Sequence, residues 1–500
     1  MVVSADDPGP HSSQTEQDSR LLAMLARVPV LDPDSPAQAR ELTALAFELS
    51  EEFRLPVMLR PTTRVCHANQ DIAPGEVRPL GRQAAFRKEP SRWAATPVHR
   101  YRLHLELEEK LAAVALHGPT APRRLNPDAR KGMRAVVASG VAAAHAREIM
   151  AELGLWETLP LYQVLQPFPL HTEFVTKLFE HYAEVLVLEE TMGVIEMQLA
   201  LSRRVRGRFS GTVPLAGEFT PETIEGILRR FADLPQAPRP EAPAGGGRRP
   251  TLCPGCPHRA SFYAIKRAAP KGIYPSDIGC YTLGTNLGAV DTVLCMGAAV
   301  SQAAGFYQAY RLSGETPDIV ATIGDSTFFH GGIPPLIDAV VQDARFVLVI
   351  LDNATTAMTG NQPTPATGCG AGGVPTAAVD MEGLVRACGV KFCRVGRPSE
   401  LPAFTALVKE AVAFARTDGV AVVIAREPCV VDRASVLEKK ARRPVRVSDG
   451  CNGCRLCVEQ FECPALVYDE ASGRVAIDTL TCSGCGVCID VCPRLAIEES

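Results

Sequence analysis

The chain lacks the features that would place it in a membrane, on a secretory route or on nucleic acid. It has no run of about 18 uncharged apolar residues, the length that a membrane-spanning helix needs, and its most apolar stretch, 287–310, is interrupted by Asp291 and Gln302. The first ten residues contain neither a basic nor an apolar segment, so we expect no secretory signal. The net charge of −4 offers nucleic acid no attraction. We therefore expect a cytoplasmic protein with no membrane or nucleic-acid partner.

Cysteine is abundant instead, and eight of the 17 cysteines lie in the last fifty residues. They form two runs, Cys-x2-Cys-x2-Cys-x5-Cys-Pro and Cys-x2-Cys-x2-Cys-x3-Cys-Pro, which is the spacing of a ferredoxin module with two 4Fe-4S clusters. Three thiolates spaced three residues apart surround three corners of an iron–sulfur cube, and the fourth normally ligates the other cube. We predict that one cluster is held by Cys451, Cys454, Cys457 and Cys492, and the other by Cys482, Cys485, Cys488 and Cys463.

Zinc and disulfide bonds are the alternative uses of such cysteines. A structural zinc site would use pairs of CxxC, not two triplets that are each followed by Cys-Pro. Disulfides are disfavoured in a chain without a recognisable secretory signal. Electron transfer through iron–sulfur clusters is therefore the expected output of the molecule.

Apolar patterning predicts alternating strands and helices over most of the remaining chain. Short β-branched runs predict strands at 28–31, 55–60, 133–139, 159–164, 185–189, 319–323, 346–351 and 420–425. Helices are predicted over 35–53, with Ser35 as N-cap and Pro36 at the first helical position, and over 140–153. The alternation favours an α/β fold with several doubly wound, parallel-sheet domains. The segment 235–250, rich in proline and glycine, is predicted to be a linker.

Two of these strands end in residues that suit a magnesium–diphosphate site. Gly324-Asp325-Ser326 ends one buried strand, and Asp352-Asn353 ends the next. The carboxyl ends of parallel strands meet at the edge where such folds bind ligands. Mg²⁺ binds there through one or two protein oxygens together with phosphate oxygens. Taken singly, the two dipeptides would be simple turns.

In its strand–helix–strand context the pattern resembles the cofactor motif of thiamine diphosphate enzymes. We predict that Asp325, Asn353 and the carbonyl of Thr355 bind Mg²⁺. We also expect Gly324 and the amides near Ser326 to face the diphosphate, since helix N-termini favour phosphate. Cys280 and Tyr281 are further expected contacts of the cofactor.

Longer stretches resemble the large subunit of indolepyruvate:ferredoxin oxidoreductase over essentially the whole chain. They are DDPGPHSSQTEQDSR (6–20), LCPGCPHR (252–259), SDIGCYTLG (276–284), GDSTFFHGGIP (324–334) and LDNATTAMTGNQPTP (351–365). The resemblance implies oxidative decarboxylation of aryl pyruvates to acyl-CoA, with thiamine diphosphate, Mg²⁺ and 4Fe-4S clusters as cofactors. It also implies three partners, namely a smaller catalytic subunit, coenzyme A and ferredoxin, and we expect a hetero-oligomer.

The resemblance also implies how the chain is divided into domains. These are part of a pyrimidine-binding domain with a connecting segment at 1–117, a transketolase-C-terminal-like domain at 128–234, the linker at 235–250, a thiamine diphosphate-binding domain at 251–437 and a ferredoxin-like domain at 447–500. Family members carry further residues before the segment that corresponds to 6–20, including the glutamate that activates the cofactor. We therefore expect the N-terminal part of the pyrimidine-binding domain to be missing here, and no catalytic residue is assigned.

Four more cysteines match a third cluster by resemblance. Related 2-oxoacid:ferredoxin oxidoreductases hold a cluster close to the cofactor, and the order of its ligands is matched by Cys253, Cys256, Cys280 and Cys429. Two interpretations stay open: the four ligate a third cluster, or Cys280 and Cys429 are small buried residues while the CxxC tightens a turn.

Two other functions also stay open, a non-redox thiamine-dependent 2-oxoacid decarboxylase and a catalytically incomplete electron-transfer subunit. Among the weaker candidates, His330 either faces the substrate or caps a helix, and His258 is expected to be structural. Glu189 and Glu190 are expected to be solvated or interface acids.

Overall fold

The computed structural model describes residues 1–10, 15–75, 85–130, 132–199, 203–237, 249–432 and 443–500. They form two compact units, Met1–Ala242 (unit 1) and Pro243–Ser500 (unit 2), each with its own sheets and apolar cores. Most of the linker predicted at 235–250 lies outside the described residues. The other predicted domain boundaries stay predictions.

The described strands of unit 1 form a short parallel sheet and a larger mixed sheet. The short sheet has the order β1 (Val2–Val3), β3 (Met58–Leu59), β2 (Val30–Leu31). The larger sheet has the order β4 (Arg123–Arg124), β6 (Leu161–Val164), β5 (Arg134–Ser139), β7 (Glu184–Leu188), β8 (Val205–Arg206), and its β4–β6 pair is antiparallel. The amide of Val30 donates to the carbonyl of Phe168 at 2.7 Å and so connects the two sheets.

The described helices of unit 1 alternate with its strands along the chain. They are α1 (Arg20–Ala26), α2 (Pro36–Phe53), α3 (Thr63–His67), α4 (Pro90–Trp93), α5 (Pro97–Val114), α6 (Gly140–Glu152), α7 (Thr172–His181), α8 (Val194–Gln198) and α9 (Pro221–Phe231), with a 3-10 turn at Gly118–Thr120. Helix α2 begins as predicted, because the Ser35 side chain accepts a hydrogen bond from the Gln38 amide at 3.3 Å and Pro36 occupies the first turn.

A network of buried charges lies between the segment 6–20 and the larger sheet of unit 1. Arg20 is fully buried, and it forms ion pairs with Asp18 at 2.7 Å and with Glu189 at 3.2 Å. Arg60 pairs with Asp6 at 2.7 Å. Of the two alternatives expected for Glu189 and Glu190, the solvated one was wrong, since they are 1% and 5% exposed, and the interface one stays a prediction. Glu189 accepts from Arg20 and from the amide of Ile195, contacts that its sequence neighbours do not reveal.

Unit 2 is built on a parallel sheet of the order β11 (Val320–Gly324), β12 (Val347–Asp352), β14 (Ala421–Arg426), β13 (Phe392–Gly396). A short parallel pair, β9 (Pro275–Ser276) and β10 (Thr292–Val293), joins it through the Ile273–Ile319 bridge. Its helices are α10 (Pro257–Ala268), α11 (Ala298–Ser313), α12 (Asp325–Thr327), α13 (Ile333–Val341), α14 (Met381–Ala387) and α15 (Leu401–Thr417), with 3-10 turns at Cys280–Leu287 and Ala357–Thr359 and a π-helical segment at Phe328–Gly332.

The C-terminal part of unit 2 consists of two antiparallel pairs and two short helices. The pairs are β15 (Val445–Val447) with β18 (Ile497–Glu499) and β16 (Leu466–Asp469) with β17 (Arg474–Ile477), and the helices are α16 (Leu456–Glu459) and α17 (Cys488–Val491). Its apolar residues share one core with α10 and α15, where the rings of Tyr263 and Phe461 meet edge to face at 5.6 Å. We call this part (443–500) the cluster module.

The predicted strands and helices are present, each shorter by one to four residues or shifted by one. The α/β class with parallel sheets is confirmed. Strand β13 was not predicted, because it is a partly exposed edge strand that contains Arg394 and therefore lacks an apolar run. Within the described ranges, no helix has both the length and the apolar character needed to cross a bilayer.

Candidate functional site

The structure brings the predicted magnesium ligands together at the carboxyl edge of the parallel sheet. Gly324 pairs in register with Leu351, so Asp325 and Asn353 follow neighbouring strand ends. Asp325, Asn353 and Thr355 are 2%, 7% and 4% exposed. Ala354 adopts a left-handed backbone (φ 61°), which turns the chain sharply between the last two. The three oxygen-bearing residues therefore line one buried corner, which we call the magnesium corner after the ion predicted to bind there.

Asp325 has the property expected of a metal ligand. Its Oδ1 accepts a hydrogen bond from the Ser326 amide at 2.7 Å, whereas its buried Oδ2 has no hydrogen bond of ordinary geometry and no cationic partner within the described part of the chain. Burial, and then the nearby charge of Asp352, raise the pKa of Asp325 to about 7. A buried carboxylate without a cation is costly, and a bound Mg²⁺ would supply the missing charge. The residues present therefore fit a magnesium–diphosphate group.

His258 orients the amide of Asn353. The Asn353 Nδ2 lies 3.3 Å from His258 Nε2, and its Oδ1 accepts from the Thr355 amide at 3.3 Å. Burial lowers the pKa of His258 to about 4, so the ring is neutral and its Nε2 can accept a hydrogen bond. His258 was expected to be structural, and it packs against this site. His330 is exposed on the π-helical segment.

Tyr281 covers the end of strand β11. Its hydroxyl donates to the carbonyl of Ile278 at 2.9 Å. A Cβ at Gly324 would lie 2.6 Å from the ring atom Cε1 of Tyr281, so only glycine permits this approach. Ser326 is partly buried at the first turn of α12. Gly324, Ser326 and Tyr281 thus surround Asp325 as expected of cofactor contacts, although their roles stay predictions.

Asp277 is a site residue that the sequence did not single out. It is fully buried, and its Oδ2 accepts from the Gly297 amide at 2.6 Å. Burial raises the pKa of Asp277 to about 6. Its position in the Asp-Ile-Gly-Cys motif was the available signal. It connects the loop before α11 to the segment that carries Cys280 and Tyr281.

The cysteines of the cluster module fall into two groups, each drawn from both runs. Cys451, Cys454, Cys457 and Cys492 line one cavity, and burial together with the other three thiols raises the pKa of Cys457 to about 11. Burial and the thiols of Cys485, Cys463 and Cys482 likewise raise the pKa of Cys488 to about 12. These are the two sets predicted from the spacing. We call the first the outer set (Cys451, Cys454, Cys457 and Cys492) and the second the inner set (Cys463, Cys482, Cys485 and Cys488).

Backbone amides approach the sulfurs of both sets. Gly484 donates to Cys482 Sγ at 3.4 Å, and Ala496 donates to Cys492 Sγ at 3.3 Å. Among the described residues, no three His, Cys, Asp or Glu side chains are arranged around a single metal ion. In a cube each thiolate binds its own iron atom, so its ligands lie farther apart. The donor sets suit cubes better than single ions.

Cys253, Cys256, Cys280 and Cys429 also converge, although they are distant in the chain. Burial and the thiols of Cys253 and Cys429 raise the pKa of Cys280. Burial and the thiol of Cys253 contribute to raising the pKa of Cys256 to about 12. We call these four thiols the proximal set, because Cys280 adjoins Tyr281 and the Cys429 amide donates to the Asn353 carbonyl at 3.2 Å.

The proximal set also touches the cluster module. Gly255, in the turn between Cys253 and Cys256, has a left-handed backbone (φ 74°), and a Cβ there would lie 2.2 Å from Ser483 Oγ and 3.6 Å from Cys485 Cβ. The proximal turn therefore packs directly on the loop of the inner set. In space, the proximal set therefore lies next to the magnesium corner, and the inner set of the cluster module lies next to the proximal set.

Comparison with known proteins identifies two domains in unit 2. Residues 277–425 match the family described as thiamine pyrophosphate enzyme, C-terminal TPP binding domain, and residues 443–493 match the 4Fe-4S dicluster domain. Indolepyruvate oxidoreductase subunit IorA of Methanothermobacter marburgensis is 39% identical over 100% of this chain and 81% of its own length. The subunit of the same name from Archaeoglobus fulgidus is 38% identical, again over 100% and 81%.

A solved 2-oxoglutarate:ferredoxin oxidoreductase from Magnetococcus marinus is 20% identical and covers 37% of this chain and 66% of its own, with a TM-score of 0.32. That likeness is too slight to support an argument. The fold and the two matched domains define a thiamine diphosphate enzyme that carries its own 4Fe-4S dicluster domain. Within that class, the chain belongs to the IorA family of indolepyruvate oxidoreductase subunits.

Proposed function

We propose that the chain oxidatively decarboxylates aryl pyruvates, indolepyruvate first among them. One 2-oxoacid, one coenzyme A and two oxidised ferredoxins give one acyl-CoA, one carbon dioxide, one proton and two reduced ferredoxins. Thiamine diphosphate supplies the carbanion chemistry when it is bound, and 4Fe-4S clusters carry single electrons. The relatives are named as subunits, so we propose a smaller catalytic subunit as partner in a hetero-oligomer.

The observation that carries the proposal is the continuity between the magnesium corner and the thiol sets. Asp325 Oδ2, which has no cationic partner among the described residues, favours a cation that holds a diphosphate. Cys280 directly precedes Tyr281, which adjoins that corner, and the Cys429 amide donates to the carbonyl of Asn353. A non-redox decarboxylase has no use for such an arrangement, because its reaction releases no electrons.

The chain's own residues position and shield the reacting groups. Asp325, Asn353 and the Thr355 carbonyl would hold Mg²⁺, and the neutral His258, 3.3 Å from Asn353 Nδ2, fixes the orientation of the Asn353 amide. Tyr281 closes the strand end against water. Asp277 fixes the loop that presents Cys280. Low exposure of all these side chains strengthens each electrostatic contact.

We further propose that the proximal set holds a third 4Fe-4S cluster. Iron analysis of anaerobically prepared protein should then give about twelve irons per chain, since each cube holds four, and about eight would contradict it. A Cys253→Ala variant should lose about four irons. Its matched control is Cys295→Ala, an exposed cysteine outside the three sets, which should keep the full complement.

The activity itself is tested by anaerobic dye reduction. The chain with its partner subunit, indolepyruvate, coenzyme A and a viologen dye should reduce the dye only when coenzyme A is present. Aldehyde release without dye reduction would instead indicate a non-redox decarboxylase. No turnover despite full iron and thiamine content would indicate an electron-transfer subunit that is catalytically incomplete.

A further inference from the structure

Arg259 occupies the contact between the proximal set and the inner set. It lies in the first turn of α10 and is 1% exposed. Its Nη1 donates to the carbonyl of Phe461 at 3.0 Å and also to that of Glu462, and its Nη2 donates to the carbonyl of Leu252. Leu252 directly precedes Cys253, and Glu462 directly precedes Cys463. One guanidinium therefore ties together the two chain segments that carry these thiols.

The charge of Arg259 faces several thiols, and among the described residues it forms no ion pair with a carboxylate. Cys463, Cys256, the Glu462 carboxylate and Cys253 are close enough to act electrostatically on its guanidinium. In the described ranges no carboxylate oxygen lies within ion-pair distance of it, and its buried Nε has no hydrogen-bond partner. The nearby Glu462 carboxylate pairs with Arg249 instead. A buried cation is costly without a compensating negative charge.

Clusters at the two thiol sets would supply that charge. A 4Fe-4S cube with four thiolate ligands carries a net negative charge, which grows by one unit on reduction. A fixed cation beside it stabilises the reduced form more than the oxidised form. The presence of Arg259 therefore raises the reduction potential of a cluster on either side of it.

We propose that Arg259 is a positioning residue of the electron path, which holds the proximal and inner clusters at a fixed separation and raises the reduction potentials of both. The part that concerns the proximal cluster rests on the proposed function, whereas the part that concerns the inner cluster does not. No thiol of the outer set is among the groups that act on Arg259, so the potential of the outer cluster should be insensitive to this residue.

The test is a redox titration of anaerobic holoprotein without substrate, followed by electron paramagnetic resonance. Arg259→Gln should lower the reduction potentials of the inner and proximal clusters by about 59 mV. For one electron this corresponds to about a tenfold decrease in the equilibrium constant for reduction. The outer potential, assigned with a Cys454→Ser variant, should not move. Arg259→Lys keeps the charge and should retain potentials close to those of the unmodified protein.

The matched control is Arg267→Gln, which removes the same charge from an exposed position on α10 and should leave every potential unchanged. Unchanged potentials in Arg259→Gln, or equal shifts of all clusters, would overturn the proposal. If Arg259→Gln fails to assemble, Arg259→Lys decides, because lowered inner and proximal potentials there would contradict it. Since no substrate is present, an absence of turnover would overturn the proposed function and leave this inference standing.

Discussion

Asp6 and Asp18 of unit 1 and Asp325 of unit 2 are carboxylates buried in opposite ways. In unit 1, Asp6 Oδ2 accepts from Arg60 and from both the amide and the hydroxyl of Ser19. Arg20 binds Asp18 through two nitrogens and also reaches Glu189. In unit 2, Asp325 Oδ2 is equally buried and has no cationic partner in the described part of the chain.

The difference separates a structural network from a binding site. A buried acid with an arginine partner has its compensating charge inside the protein, so it stabilises the fold. A buried acid without one weakens the fold until an external cation binds, and such exceptions cluster at functional sites. The contrast can be tested by removing one charge at a time.

The largest effect is expected from Arg20→Met in unit 1. The change removes the cation closest to Asp18 and the one paired with Glu189 while both acids stay buried, so the free energy of unfolding should fall by about 3–5 kcal/mol. Urea unfolding measures this, with Arg100→Met on the exposed face of α5 as the control. A loss no greater than that of the control would show that the network is not structural.

Asp325→Asn in unit 2 should weaken cofactor binding without lowering the free energy of unfolding. Affinity for Mg²⁺ with thiamine diphosphate should fall about 100-fold, or about 2.8 kcal/mol, because the carboxylate among the three predicted magnesium ligands is lost. The stability of the cofactor-free protein should hold or rise, since the removed charge had no cation. Titration calorimetry and urea unfolding measure the two quantities. Asp338→Asn, at an exposed position of α13, is the control.

Lowering the pH should decrease the free energy of unfolding of unit 1, because Asp18 becomes protonated. Burial would raise its pKa, but the charge and hydrogen bonds of Arg20, with help from Arg60, outweigh burial and hold the pKa of Asp18 well below its usual range. The stabilisation is therefore present above the unfolded-state pKa of about 3.9 and is lost below it, at up to about 1.4 kcal/mol per pH unit. Urea midpoints at pH 7, 4 and 3 should show a smaller acid loss for Asp18→Asn. An equal acid loss in both proteins would refute the assignment.

The smallest effect is expected from Arg426→Gln. Arg426 pairs with Asp352 at 2.6 Å, but its side chain is 44% exposed. Solvent screens such a pair, so its loss should cost about 1 kcal/mol at most. Urea unfolding beside Arg20→Met makes the comparison direct. Equal losses from the two arginines would mean that burial does not explain the difference between the units.

Local pattern was sufficient wherever structure depends on neighbouring residues. Ser35 and Pro36 began α2 as predicted, and the buried strands ending in Gly324 and Asp352 lie side by side. Edge strand β13 escaped prediction because exposure removed its apolar pattern. The solvated alternative for Glu189 and Glu190 was wrong because their partners, Arg20 and the Phe219 amide, come from other elements.

By itself the sequence determined the α/β class, the two cysteine runs and the acid–amide pair at the strand ends, because each depends on spacings of a few residues or on one strand–helix–strand unit. Only the tertiary structure decided that Cys253, Cys280 and Cys429 converge, that Asp325 is buried without a cationic partner among the described residues and that Arg259 lies between two thiol sets. Those facts depend on contacts between segments far apart in the chain, and such contacts arise from packing and burial, which no local pattern encodes.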